Sequence, residues 1–187
     1  EVTLGVADTD HGEILWYSST GSLTAFNGEK NSWNLLEFDG KESVTDLAWY
    51  RDALYTLGST VTKYKRSLTG FGRGQMWIHD GSTTSEAKNL AIDGAVYLAV
   101  ADGGISKFFA GTKKDFSIEK FSNDAARILR LTAPPDSKFL YLVNAARRTL
   151  VVFDRLGKLI TQYELLDREI HDAYIDESFN PCFNGIF

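Results

Sequence analysis

A single cysteine, Cys182, stands in the whole sequence, so no intrachain disulfide can form and no zinc site can be built from thiolates. Prolines are three and glycines sixteen, ordinary punctuation for a sheet-forming chain. No stretch of about 18 apolar residues occurs, which excludes a helical membrane span within these residues. A basic excess is also missing. Lys+Arg number 20 against 25 Asp+Glu, a formal charge of -5, which argues against general binding to nucleic acid or anionic membranes. The chain opens at Glu1 with neither methionine nor an apolar signal region, and reads as a segment processed or excised from something longer.

What the sequence does hold is apolar and aromatic. Hydrophobic residues make up 43% and aromatics 13% of 187 positions, enough for a sizeable buried core. These residues recur. Trp16, Tyr55, Tyr97 and Tyr141 each sit among apolar neighbours, at steps of 39, 42 and 44 residues. A second landmark follows each of them, ending in Phe26, Tyr64, Phe108 and Phe153 at steps of 38, 44 and 45. A third precedes them, in Val44–Trp49, Ala87–Ile92 and Ile170–Ile175. Landmarks recurring in one order at a period near 43 match the blades of a β-propeller.

The local chemistry agrees. Five- to seven-residue segments rich in Val, Ile, Leu, Tyr, Phe and Thr alternate with turn signals such as Ser19–Ser22, Asp102–Gly104 and Asp154–Lys158. Lys120–Leu131 is the best rival for a helix, but has too few apolar positions for a helical face. The expectation is an all-β chain, a β-propeller of about four four-stranded blades plus an incomplete fifth. The blades run over residues 1–41, 42–85, 86–123 and 124–167, with a partial one at 168–177 and an atypical tail at 178–187. Trp33, Trp77, Phe116 and Tyr163 then fall on outer strands, where they are expected to cover the core between blades.

On these residues the chain resembles the NHL-type and lactonase-like propeller repeats of bacteria. Phe139–Val143 followed by Arg148–Lys158 is the most typical stretch, and Ala91–Tyr97 with Gly111–Phe116 is similar to one branch from uncultured bacteria. In that branch the propeller lies outside a membrane span, sometimes beside a phosphatase-like domain. The resemblance thus implies a truncated propeller and an extracytoplasmic, cell-surface location. It specifies architecture better than activity, because propellers host unrelated functions. The tail departs from the pattern. Its doubled Phe-Asn, at Phe179–Asn180 and Phe183–Asn184, resembles translated CRISPR-repeat DNA, with an ordinary turn-rich tail as the other reading.

Catalytic signatures are scarce. His11, His79 and His171 fall in a first-blade loop, an outer strand and an inner strand, which do not converge on a zinc ion. Gly70–Gly74 lacks the Lys-Ser/Thr ending of a phosphate loop. One constellation is a metal candidate. Asp46, Asn89 and Asp172 share an offset on inner strands, where oxygen ligands suit Ca²⁺, although Thr3 and Ile128 interrupt the pattern. The alternative role for these three is satisfying backbone groups at the channel mouth.

The reading is a non-catalytic binding or scaffold module for a protein, peptide or cell-surface ligand, with no cofactor assigned. A lactonase-like metal-dependent hydrolase using the inner-strand carboxylates is the first alternative. The second is an RNA-binding NHL-type propeller using Lys63, Lys65, Arg66, Lys113, Lys114, Arg147 and Arg148 on phosphates. Self-association through the blade-one face and the truncated fifth blade is also expected, since an open arc leaves an apolar face in water.

Overall fold

The computed structural model describes residues 4–40, 43–100, 103–119, 128–134, 136–144, 148–164, 170–175 and 181–185, with side chains placed up to residue 164 apart from 128 and 129. The chain is all-β. Four four-stranded antiparallel sheets, each in simple up-down order, follow one another along the sequence. The first holds β1 (Leu4–Asp8), β2 (Glu13–Tyr17), β3 (Leu23–Asn27) and β4 (Ser32–Leu36). The second holds β5 (Asp46–Tyr50), β6 (Ala53–Leu57), β7 (Val61–Lys65) and β8 (Gln75–Met76). The third holds β9 (Ala87–Ile92), β10 (Val96–Val100), β11 (Ile105–Phe109) and β12 (Thr112–Lys114). The fourth holds β13 (Ile128–Thr132), β14 (Phe139–Asn144), β15 (Thr149–Asp154) and β16 (Leu159–Glu164). Two further strands, β17 (Ile170–Ile175) and β18 (Pro181–Gly185), pair antiparallel. The tail therefore supplies a second strand beside β17. Residues 120–127 of the helical rival lie outside the described residues, and its end forms β13.

Two compact units divide the chain, residues 1–85 and 86–187. In the first, Leu15, Tyr17, Leu23 and Ala25 from the β1–β4 sheet pack against Leu47, Leu54, Tyr64 and Phe71 of the β5–β8 sheet. In the second, Tyr97, Ala99 and Ile105 pack against Leu131, Leu140, Leu142, Val151 and Phe153. Strand alternation explains this, because every second side chain points to one face. The central strands β6, β10 and β14 are buried on both faces, and so read as continuous apolar runs.

Each unit joins its two sheets in the same way. Where the chain leaves β4, Glu37 pairs with Gly70, and the Phe71 N–H donates to the Glu37 carbonyl at 2.8 Å. Where it leaves β12, the Glu119 N–H donates to the Gly157 carbonyl at 2.8 Å. A methyl group on Gly70 would meet the Glu37 backbone, and one on Gly157 the Ser117 carbonyl. The close approach itself requires glycine.

Two of the outer aromatics do not cover the core. Trp33 and Tyr163 are exposed. Phe116 is half-buried against Tyr97, and Trp77 packs edge-on to Tyr55 with ring centroids 6.4 Å apart. Trp33 and Tyr163 lie within the full-length edge strands β4 and β16, whereas Trp77 and Phe116 lie just beyond the shorter β8 and β12, in the chain that follows the strand.

Candidate functional site

Within the second unit, a groove of about 500 Å³ opens where the β9–β12 and β13–β16 sheets diverge. Lys107 and Phe109 alternate on β11 and so share a face, and the register sets Lys114 directly opposite Lys107. Asp115, Phe116 and Ser117 follow β12 along one wall, and Arg155 and Leu156 of the β15–β16 turn form the other. Three cations against one carboxylate line this groove, on a chain whose net charge is -5. Phe109 and Leu156 are exposed at its rim.

The floor is fixed in place. Tyr97 lies across from Lys107 on the neighbouring strand, and the Lys107 ammonium stands 5.3 Å from the Tyr97 and Phe116 ring centroids. Lys107 Nζ also donates to the Arg155 carbonyl at 3.2 Å. The Arg155 guanidinium donates to the carbonyls of Pro134 and Ser137 at 2.8 and 2.9 Å, and lies 2.8 Å from the Asp93 carboxylate. Burial pushes the Tyr97 phenol up to about 12, with Asp93 adding and Arg155 opposing. Like charges directly opposed on a sheet cost stability, so Lys107 and Lys114 favour an anion between them.

A second cavity of about 500 Å³ lies in the first unit, between the β2–β3 turn and the segment after β4. Up-down order brings these connections to one end of the sheet. Its lining includes Tyr17, Phe38 and the hydroxyls of Ser18 and Thr20. Those hydroxyls are engaged, because Ser18 Oγ is 2.7 Å from both Thr20 Oγ1 and Ser22 Oγ. They brace the turn at Gly21, whose φ is 84°.

Asp46 begins β5 in the first unit, buried, and its Oδ1 accepts the Leu47 N–H at 2.9 Å. Asn89 lies buried on β9 and Asp172 on β17, both in the second unit, the Asp172 side chain being outside the described residues. Among the described residues no three His, Cys, Asp or Glu side chains are grouped to hold a metal ion. His11 Nδ1 lies 2.9 Å from buried Asp8, and His79 is exposed beyond β8. Of the basic residues, Arg66 is shielded within an ion pair, whereas Lys65, Lys113 and Lys114 are exposed. Lys63 stands over Tyr55, Lys65 lies 3.7 Å from Asp52, and Arg66 is 2.7 Å from Glu13. Arg147 lies outside the described residues and Arg148 is exposed.

Sequence reasoning singled out Lys113 and Lys114 but missed Lys107, Phe109 and Arg155. A signal was present. Lys63 and Lys107 both immediately precede the third-strand aromatic, and Arg66 and Arg155 both stand two residues after it.

The chain is thus an all-β protein of repeated four-stranded, blade-like sheets. Its fold is shared by the crystal structure of a protein of unknown function from Bacteroides thetaiotaomicron VPI-5482, at 15% identity and a TM-score of 0.67. That likeness covers 98% of this chain and 52% of the other, so the chain spans about half the length of the structure it matches. No family model and no curated protein matches the sequence.

Proposed function

We propose that this chain is a non-catalytic binding module, a β-propeller segment of NHL-like type, that takes an acidic peptide bearing an apolar side chain in the groove beside β11. The observation that carries this reading is the register pair Lys107 and Lys114 beside exposed Phe109, above a floor already pinned by Tyr97, Phe116 and Arg155. Two ammoniums recognise carboxylates, and the Phe109 and Leu156 rim takes the apolar group. A groove of this volume falls in the range of ordinary ligand sites. A scaffold role outside a bacterial membrane, implied by the repeat resemblance, belongs to the same proposal.

The hydrolase alternative draws less support, because Asp46 is buried and its carboxylate already accepts the Leu47 N–H at 2.9 Å. The RNA alternative loses Arg66 to Glu13, in a pair shielded from solvent.

Fluorescence anisotropy with a labelled peptide of alternating glutamate and phenylalanine tests the proposal. Binding is expected to weaken as salt rises, and by about tenfold in Lys114→Glu, an exposed position whose change leaves the core intact. Equal affinity in Lys114→Glu overturns the site. Tighter binding of a labelled oligouridine overturns the peptide assignment.

A further inference from the structure

The β1–β4 sheet has two faces of different fate. One holds Leu15, Tyr17, Leu23 and Ala25 and is buried. The other is a lattice of two rows read from the register. Gly5, Trp16, Thr24 and Leu35 form one row, and Ala7, Ile14, Phe26 and Trp33 the other. No charged side chain stands among these eight positions, in a chain that is 24% charged. Ile14 is 41%, Trp16 36%, Trp33 62% and Leu35 74% exposed.

The same face has a known use elsewhere in the chain. Setting the third-strand aromatics Phe26, Tyr64 and Phe153 in one row makes Leu54 and Leu140 the counterparts of Ile14. Leu54 and Tyr64 pack against the β1–β4 sheet, and Leu140 and Phe153 against the β9–β12 sheet. What covers this face is therefore another sheet.

We propose that the Trp16–Trp33 face of the β1–β4 sheet docks the same face of a second copy of this chain. The face is self-complementary in size. At its β1 edge Ala7 is small and open, while the Trp16 ring leans against Gly5; its β4 edge carries Trp33 and Leu35. A two-fold axis between the sheets and parallel to the strands lays β4 of one copy over β1 of the other, with Trp33 over Ala7. That is an isologous contact with aligned sheet packing. Each buried aromatic contributes roughly 150–250 Å². Three partly buried rings with Ile14 and Leu35 thus stay below the roughly 800 Å² per partner of a standard stable interface. The expected dimer is reversible, dissociating in the micromolar range. Because the contact is uncharged and each copy is acidic, salt strengthens it. Peptide binding in the groove weakens with salt, so the two proposals fail independently.

Sedimentation velocity of the 187-residue chain over a concentration series tests the proposal. The expected result is a monomer–dimer equilibrium shifted toward dimer by salt. Leu35→Lys and Trp33→Glu, both at exposed positions, are expected to yield monomers with unchanged circular dichroism. A monomer at every concentration, open-ended polymers, or dimers persisting in Leu35→Lys would overturn it.

Discussion

Arg155 reaches from the β15–β16 turn to within 2.8 Å of Asp93, in the β9–β10 turn of the adjacent sheet. Arg66, two residues after its own third-strand aromatic just as Arg155 is, lies 2.7 Å from Glu13 at the start of β2. Both pairs are largely shielded from solvent. Each unit thus carries one charge staple at the same place between its two sheets. The second also fixes the groove, since Arg155 supplies the carbonyl that holds Lys107.

The two partners of the second pair should be energetically coupled. Arg155→Ala strips two carbonyls of their donor and leaves Asp93 half-buried without its cation, a loss of about 2–4 kcal/mol. Asp93→Asn combined with Arg155→Met should lose less than the two single changes added together. Urea denaturation of the four proteins in a double-mutant cycle reads the coupling, expected at about 1 kcal/mol or more. Strict additivity would make the pair incidental.

Gly157 is caught twice, by its φ of 89° and by the Ser117 carbonyl beside it. Gly157→Ala should therefore destabilise by about 2–4 kcal/mol, through both left-handed strain and displacement of the chain after β12. Gly12, at φ 63° with nothing within 4 Å, is the control, and Gly12→Ala should cost only about 1 kcal/mol. Thermal melts of both variants separate close approach from backbone strain.

Tyr97 links the groove floor to alkaline stability. The unfolded phenol ionises near 10.0 and the folded one near 12. Below pH 10 both states keep the proton and the contribution is intact. Between pH 10 and about 12 only the unfolded chain ionises, so stability falls by about 1.4 kcal/mol per pH unit. Tyr97→Phe should flatten that segment of the stability–pH curve measured by urea titration. A curve of the same slope in Tyr97→Phe would assign the fall to other groups.

The strands were legible in the sequence because a recurring aromatic among apolar neighbours marks a central strand whatever its surroundings. The faces were not. Trp16 looks like the counterpart of Tyr55, yet Trp16 pairs with Thr24 while Tyr55 pairs with Lys63, and Leu15 holds the Tyr55 position. Side chains alternate with period two, so a slip of one residue exchanges the buried face for the exposed one. The groove was hidden for a related reason. Lys107, Phe109 and Arg155 are brought together by cross-strand register and by a turn 48 residues further on, as the Lys107–Arg155 bond records.

Calcium distinguishes the binding module from the hydrolase. Ca²⁺ takes six to eight oxygen ligands, mostly carboxylates and carbonyls. Asp46 is buried and already accepts the Leu47 N–H, which gives it a local backbone role at the start of β5. A cation bound only by the folded state at a hundred times its dissociation constant would add about 2.7 kcal/mol, several degrees in Tm. Melting temperatures in millimolar calcium and in chelator are expected to agree within about 1 °C. Asp46→Asn keeps an acceptor for Leu47 and should melt close to the parent, whereas Asp46→Ala should lose about 1 kcal/mol. A calcium-dependent rise of several degrees that disappears in Asp46→Asn would reverse the assignment, making Asp46 a ligand and the metal-dependent hydrolase the better reading.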